Sequence, residues 1–164
     1  CACVHVGVCV CVCVCFYVRV CVYINISIML AVPQLLVGLW AVFNPRHFYD
    51  HFPGFGPLLV AAEPPFNAHL VSDAGAGFLA TGVFVTIAAW WGLRPLVFVA
   101  GVSLTAFALP HFAYHLFHPA ELLSGPEYVG NLAVLGVGFV VPLAVAIAAR
   151  PGLRSAGRAA PLDG

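Results

Sequence analysis

The sequence predicts an all-α protein, a transmembrane four-helix bundle with a long outer loop between its first and second helices. Three observations lead there. Of 164 residues, 63% are hydrophobic and only 7% charged, whereas a soluble domain carries about 25% charged residues. A soluble core of this size cannot hide that much apolar surface, so the bilayer must be the solvent. The apolar residues gather in four segments of roughly the 20 residues that cross a hydrocarbon core. Short links rich in glycine, proline and arginine separate the later segments, as antiparallel neighbours require.

The first span is expected over Tyr23 to Phe43, with Pro33 inside it. The second runs from Ala68 to Trp91, the third from Pro95 to Phe117 and the fourth from Tyr128 to Ala149. Tight links at Gly92-Leu93-Arg94 and around Ser124-Gly125-Pro126 join the last three. The link from Asn44 to Asn67 is longer and holds five prolines, at positions 45, 53, 57, 64 and 65. It reads as a surface loop, with Phe48, Tyr49, Phe52 and Phe55 at the membrane–water interface. Gly75, Gly77, Ala80 and Gly82 in the second span, and Gly130, Gly136 and Gly138 in the fourth, predict close helix approach. In lipid, helices associate through such small residues. The same property is compatible with a homo-oligomer. Protein partners are not identifiable from the sequence.

Residues 1–28 read differently. All 7 cysteines of the chain lie there, at Cys1, Cys3, Cys9, Cys11, Cys13, Cys15 and Cys21. Zinc sites space paired cysteines two to four apart on a turn. In an extended chain, side chains two apart lie roughly 6–7 Å from each other, too far for a disulfide. The stretch "CVCVCVC" is, however, what a repeating TGTGTG tract encodes in frame. Through Ile28, Cys, His, Arg and Tyr occupy most odd positions and Val, Ala and Ile most even ones. Those residue types match pyrimidine–purine–pyrimidine codons and their complement. Met29, the one methionine, follows directly. The expectation is a low-complexity segment over 1–28, irregular or spurious, from a translated repeat. A β-prone extension is the alternative, since alternating valine favours strand. The membrane domain then covers 29–149, and 150–164, "RPGLRSAGRAAPLDG", forms a disordered tail.

The chain has net charge zero and all 6 of its basic residues are arginines. That excludes a nucleic-acid partner, which needs a basic surface. Arg94, Arg150, Arg154 and Arg158 fall on one side of four spans and Arg46 on the other. The positive-inside rule makes the C-terminus cytoplasmic, in a multi-pass protein of the plasma membrane. The lipid bilayer is the expected partner.

That topology places nearly all titratable groups at the outer end: His47, Asp50, His51, Glu63, His69, Asp73, His111, His115, His118, Glu121 and Glu127. Ionisable groups within a span are costly and usually face the bundle interior. Asn67 is the expected N-cap of the second span. His69 and Asp73 are four apart and share a helix face. His111, His115 and His118 form a stripe near the end of the third span. With antiparallel helices, His69 and His115 lie at similar depth, and Asp73 and His111 about one turn deeper. Imidazoles and a carboxylate so spaced would hold a transition metal, Zn, Fe, Mn or Cu. The leading reading, however, is a structural or accessory membrane protein in which the cluster is a latch, Asp73 accepting hydrogen bonds from His111 and His115, and the metal site is its alternative. A third is proton relay or solute transport. The sequence contains no GxSxG elbow, HExxH, P-loop or dinucleotide fingerprint, so no catalytic residue is assigned.

At "NPRHFYDHFPGFGP", "HLVSDAGA" and "LPHFAYHLFHP" the chain resembles a group of small bacterial four-helix membrane proteins of actinomycete type, broadly DoxX-like in layout. The resemblance covers roughly Met29 to Ala149. It implies a four-span integral membrane protein. It carries over no catalytic residue, and a redox association would be analogy alone.

Overall fold

The computed structural model describes the backbone of residues 6–151 and the side chains of residues 25–151. The regular elements of the described backbone are all helices, with no strand. Helix α1 spans Val6–Phe43, α2 Pro45–His51, α3 Ala68–Trp91, α4 Arg94–Phe117 and α5 Gly125–Ala149. Four helices are long and apolar enough to cross a bilayer: α3, α4, α5 and the stretch Asn25–Phe43 of α1. At 1.5 Å per residue, a 24-residue helix such as α3 extends about 36 Å, enough for a hydrocarbon core of about 30 Å. No more than 22% of any span's most apolar window is buried within the protein. These helices are apolar all round, and lipid must cover what neighbours do not. The chain is a multi-pass membrane protein.

Two expectations need correction. Irregular backbone over residues 1–28 does not hold from Val6 onward, where α1 is already helical; the extended-strand alternative fails for the same reason. Valine alternation alone cannot select strand when the run continues into an apolar helix. The tail from residue 152 lies outside the described residues. The second correction concerns the long link. It contains the seven-residue helix α2, capped by Asn44, whose side chain accepts from the His47 N–H. Phe48 and Tyr49 are buried against the protein rather than turned outward. Phe55 is 81% exposed, as an outward ring should be.

Helix ends follow local chemistry. Asn67 caps α3, its Oδ1 accepting from the Leu70 N–H at 3.1 Å. Gly92 ends α3 with φ 61°, and its N–H reaches the Ala88 carbonyl. A side chain resists that left-handed turn, so glycine permits the tight reversal into α4. At the start of α5, the Glu127 carboxylate accepts from the Ser124 N–H at 2.9 Å and from its hydroxyl at 2.7 Å. This reciprocal cap starts the helix at Gly125, three residues before the expected Tyr128.

The helices pair unevenly. α1 lies along α3, and α4 along α5, while α3 and α4 meet over a much shorter length. Glycines set the close approaches. A Cβ on Gly38 would stand 2.5 Å from the Leu79 nitrogen, one on Gly75 2.7 Å from the Ala41 Cβ, and one on Gly82 2.9 Å from Leu35. Gly101 does the same for α4 and α5, with a built Cβ 2.9 Å from the Ala146 nitrogen. Thr81 returns its hydroxyl to the Gly77 and Phe78 carbonyls and also reaches Gln34 Oε1 at 3.2 Å, tying α3 to α1. Thr86 and Thr105 likewise bond back into their own helices, as hydroxyls in hydrocarbon must.

The two pairs join at the end that carries the α3–α4 turn. Ala31, Val85, Ala88, Ala100 and Leu104 form one buried cluster there. Val97, Val145 and Ala149 form the next, with Ile26 and Leu30 packed on it. Arg94 closes that end by donating to the Ala148 carbonyl at 3.3 Å. Toward the other end, which carries the α1–α3 and α4–α5 links, the pairs diverge around a cavity.

Candidate functional site

The cavity has a volume of about 890 Å³ and occupies the loop-end half of the bundle. All four spans line it. On α5 the lining runs from Pro126 to Gly138, a depth of about 18 Å at 1.5 Å per residue. The segment between α2 and α3 covers it with Leu59, Val60 and Glu63. Its deep walls are mostly apolar, including Phe78, Phe107, Ala108 and Leu135, with Gln34 of α1 and Asn131 of α5 as polar exceptions. Phe78 and Phe107 meet edge-to-face at 4.9 Å, where α3 and α4 part.

Two of the expected small-residue contacts are absent here, for a reason. A Cβ on Gly130 or Gly138 would meet nothing within 4 Å, and both residues border the cavity. Gly77 and Gly136 make only ordinary contacts, at 3.8 Å to Phe107 and 3.6 Å to Phe112. Gly130 and Gly138 therefore leave space instead of admitting a neighbouring helix.

The histidines and acids divide between two places. His69 Nε2 and Asp73 Oδ2 pair at 3.3 Å, with their side chains 87% and 64% exposed. The cavity face of α3 carries Asn67, Leu70, Val71, Ala74 and Phe78. At 100° per residue, His69 and Asp73 point nearly the opposite way. His111 and His115 do face the cavity, their rings edge-to-face at 4.9 Å. His118 stacks on Tyr114 at 4.5 Å and donates its Nδ1–H to the Tyr114 carbonyl, outside the cavity. The five expected site residues thus do not converge. Among the described residues, no three His, Cys, Asp or Glu side chains stand close enough to share a metal ion.

The carboxylate that meets the histidines is Glu63. Its Oε1 lies 3.8 Å from His115 Nδ1, within ion-pair range and beyond hydrogen-bond length. That oxygen is shielded from solvent and has no hydrogen-bond partner. The rest of the side chain stays partly accessible and borders the cavity. The carboxylate reaches His115 from the covering segment, while Tyr128 holds α4 in place from the other side. Its hydroxyl donates to the His115 carbonyl at 2.9 Å and lies 3.2 Å from that of Leu116. Glu63 carries a visible signal in the sequence: one acid inside the apolar run "LLVAAEPPF".

The cover is an aromatic assembly. Trp40 packs on Phe48 at 5.6 Å and donates its Nε1–H to His47 Nδ1 at 3.0 Å. His47 therefore accepts at Nδ1, and its ring stacks on His51 at 4.2 Å. Arg46 is held by Asp50 at 2.7 Å and lies over Phe66 at 4.9 Å.

Compared with protein-family models, curated proteins and solved structures, the chain matches none.

Proposed function

We propose that this multi-pass membrane protein holds a lipophilic small molecule in its loop-end chamber. One observation carries the reading: an apolar cavity of about 890 Å³ with a polar cluster, Glu63, His111 and His115, on one side of it. Ligand sites are commonly concave, mostly apolar, about 300–1,000 Å³ in volume, and furnished with a few convergent polar groups. At the turn end, the buried clusters of Val85, Ala88, Leu104, Val97 and Val145 bound the chamber among the described residues. Arg94 and Arg150 lie at the turn end and Arg46 at the loop end. By the positive-inside rule the turn end and the C-terminus face the cytoplasm of a plasma membrane, and the chamber opens toward the outer leaflet.

The test is binding of N-phenyl-1-naphthylamine, a neutral lipophilic fluorophore, to the purified full chain in detergent. Saturable binding near one probe per chain is expected, and its loss in a Gly130→Leu, Gly138→Phe double variant. Both substitutions point into free space and improve helix propensity, so the variant should fold. Absence of saturable binding, or equal binding by the variant, would overturn the chamber reading.

A further inference from the structure

We infer that the chamber selects a lipophilic cation, with Glu63 as the residue that reads its charge; this rests on the ligand-chamber reading above. Three observations converge on a positive, apolar molecule. First, Glu63 Oε1 is shielded from solvent and has no hydrogen-bond partner, with His115 Nδ1 the ionisable group beside it at 3.8 Å. A carboxylate stripped of part of its hydration gains more from an approaching cation than one in water. Second, among the described residues no arginine lines the cavity, and the chain has no lysine to offer. Arg46 is engaged by Asp50 and Phe66, and Arg94 by the Ala148 carbonyl at the far end. The groups facing Glu63 from α4 are His115, at 3.8 Å, and His111 one turn deeper. The other acid on the wall, Glu127 of α5, is spent on the Ser124 cap. The cavity is thus short of fixed positive charge. Third, aromatic residues line it: Phe48, Tyr49, Phe52, Phe78 and Phe107. Ring faces attract cations and are indifferent or repulsive to anions.

A cation whose charge is spread under apolar groups fits all three conditions. Its desolvation cost is small, its body fills the apolar walls, and its charge completes Glu63. A compact ammonium would keep its water, and an anion would face the carboxylate without compensation.

The experiment uses two probes of one shape and opposite charge, tetraphenylphosphonium and tetraphenylborate. Each competes with N-phenyl-1-naphthylamine on the full chain in detergent. Tetraphenylphosphonium is expected to displace the fluorophore. Glu63→Gln should weaken that displacement about tenfold, the equivalent of about 1.4 kcal/mol, while the neutral fluorophore still binds saturably. Its binding also certifies that the variant is folded. Glu127→Gln, which can keep the cap, should leave the phosphonium unaffected. Tetraphenylborate should not compete better in wild type than in Glu63→Gln. If the fluorophore binds but phosphonium displacement ignores Glu63→Gln, or the borate is preferred, the cation inference is wrong and the chamber stands. If wild type binds no fluorophore, the chamber reading falls first and takes this inference with it.

Discussion

The two ends of the bundle solve opposite problems with the same residue types. At the turn end, Val85, Val97, Ala88 and Ala149 are almost completely enclosed, and Gly101 brings α4 against α5. At the loop end, Gly130 and Gly138 on the same helix α5 face open space. A glycine is therefore neither a contact nor a gap in itself. What decides is whether another backbone lies opposite it. In lipid this matters more than in water, because apolar burial gives no extra drive for helices to close a gap. Gaps can persist where large side chains such as Phe78 and Phe107 hold the helices apart.

The contrast breaks most violently at the helix α1–α3 contact. Gly38→Leu would place its Cβ 2.5 Å from the Leu79 backbone nitrogen. Backbone cannot swing aside as a side-chain tip can, so α1 must separate from α3. A loss of about 3 kcal/mol or more is expected, at the upper end of overpacking costs. The measurement is the unfolding midpoint of purified protein in mixed micelles. Gly130→Leu in parallel should leave that midpoint nearly unchanged. Equal losses in both would show that α5 is packed as tightly at Gly130 as α1 is at Gly38.

A smaller effect is expected in the cover of the cavity. Trp40→Phe keeps a ring beside Phe48 and Phe52 but removes the Nε1–H donor to His47. One neutral hydrogen bond contributes about 1 kcal/mol. The loss should appear as faster hydrogen exchange in residues 45–51, with the turn-end helices unaffected. Spread of the effect to α4 and α5 would mean that the cover and the bundle are one cooperative unit.

The sequence makes the spans legible because a run of about 20 apolar residues has few other uses. Ala68 and Trp91 are the exact ends of α3, and Asn67 is its cap. Rotation of each helix about its axis is another matter. Helices that are apolar on every side carry no stripe to say which face looks inward. His69 and Asp73 therefore share a face as their spacing requires, yet that face points away from His111 and His115. Glu63 takes the partnership expected of Asp73, because the covering segment carries it over the cavity to His115. No periodicity describes such a segment. Likewise nothing in α1 marks Gly38 as a contact or in α5 marks Gly138 as a gap. Both facts depend on what lies opposite, which only the packing reveals.

The finest test of the two-ended picture is Gly138→Ala. In a helix interior, alanine is favoured over glycine by about 1 kcal/mol, because glycine loses more backbone freedom on ordering. The gain survives only where the new methyl has room. At Gly138 it meets nothing within 4 Å, whereas at Gly101 it would stand 2.9 Å from the Ala146 nitrogen. Gly138→Ala should raise the unfolding midpoint slightly, and Gly101→Ala should lower it. The two substitutions are chemically identical and lie on facing helices, so propensity cancels between them. A difference of opposite sign reports only the space opposite each residue. If both stabilise, α4 and α5 yield at the turn end, and the packed half of the molecule is softer than its contacts imply. If both destabilise, α5 is covered at Gly138, and the chamber is narrower than its lining describes.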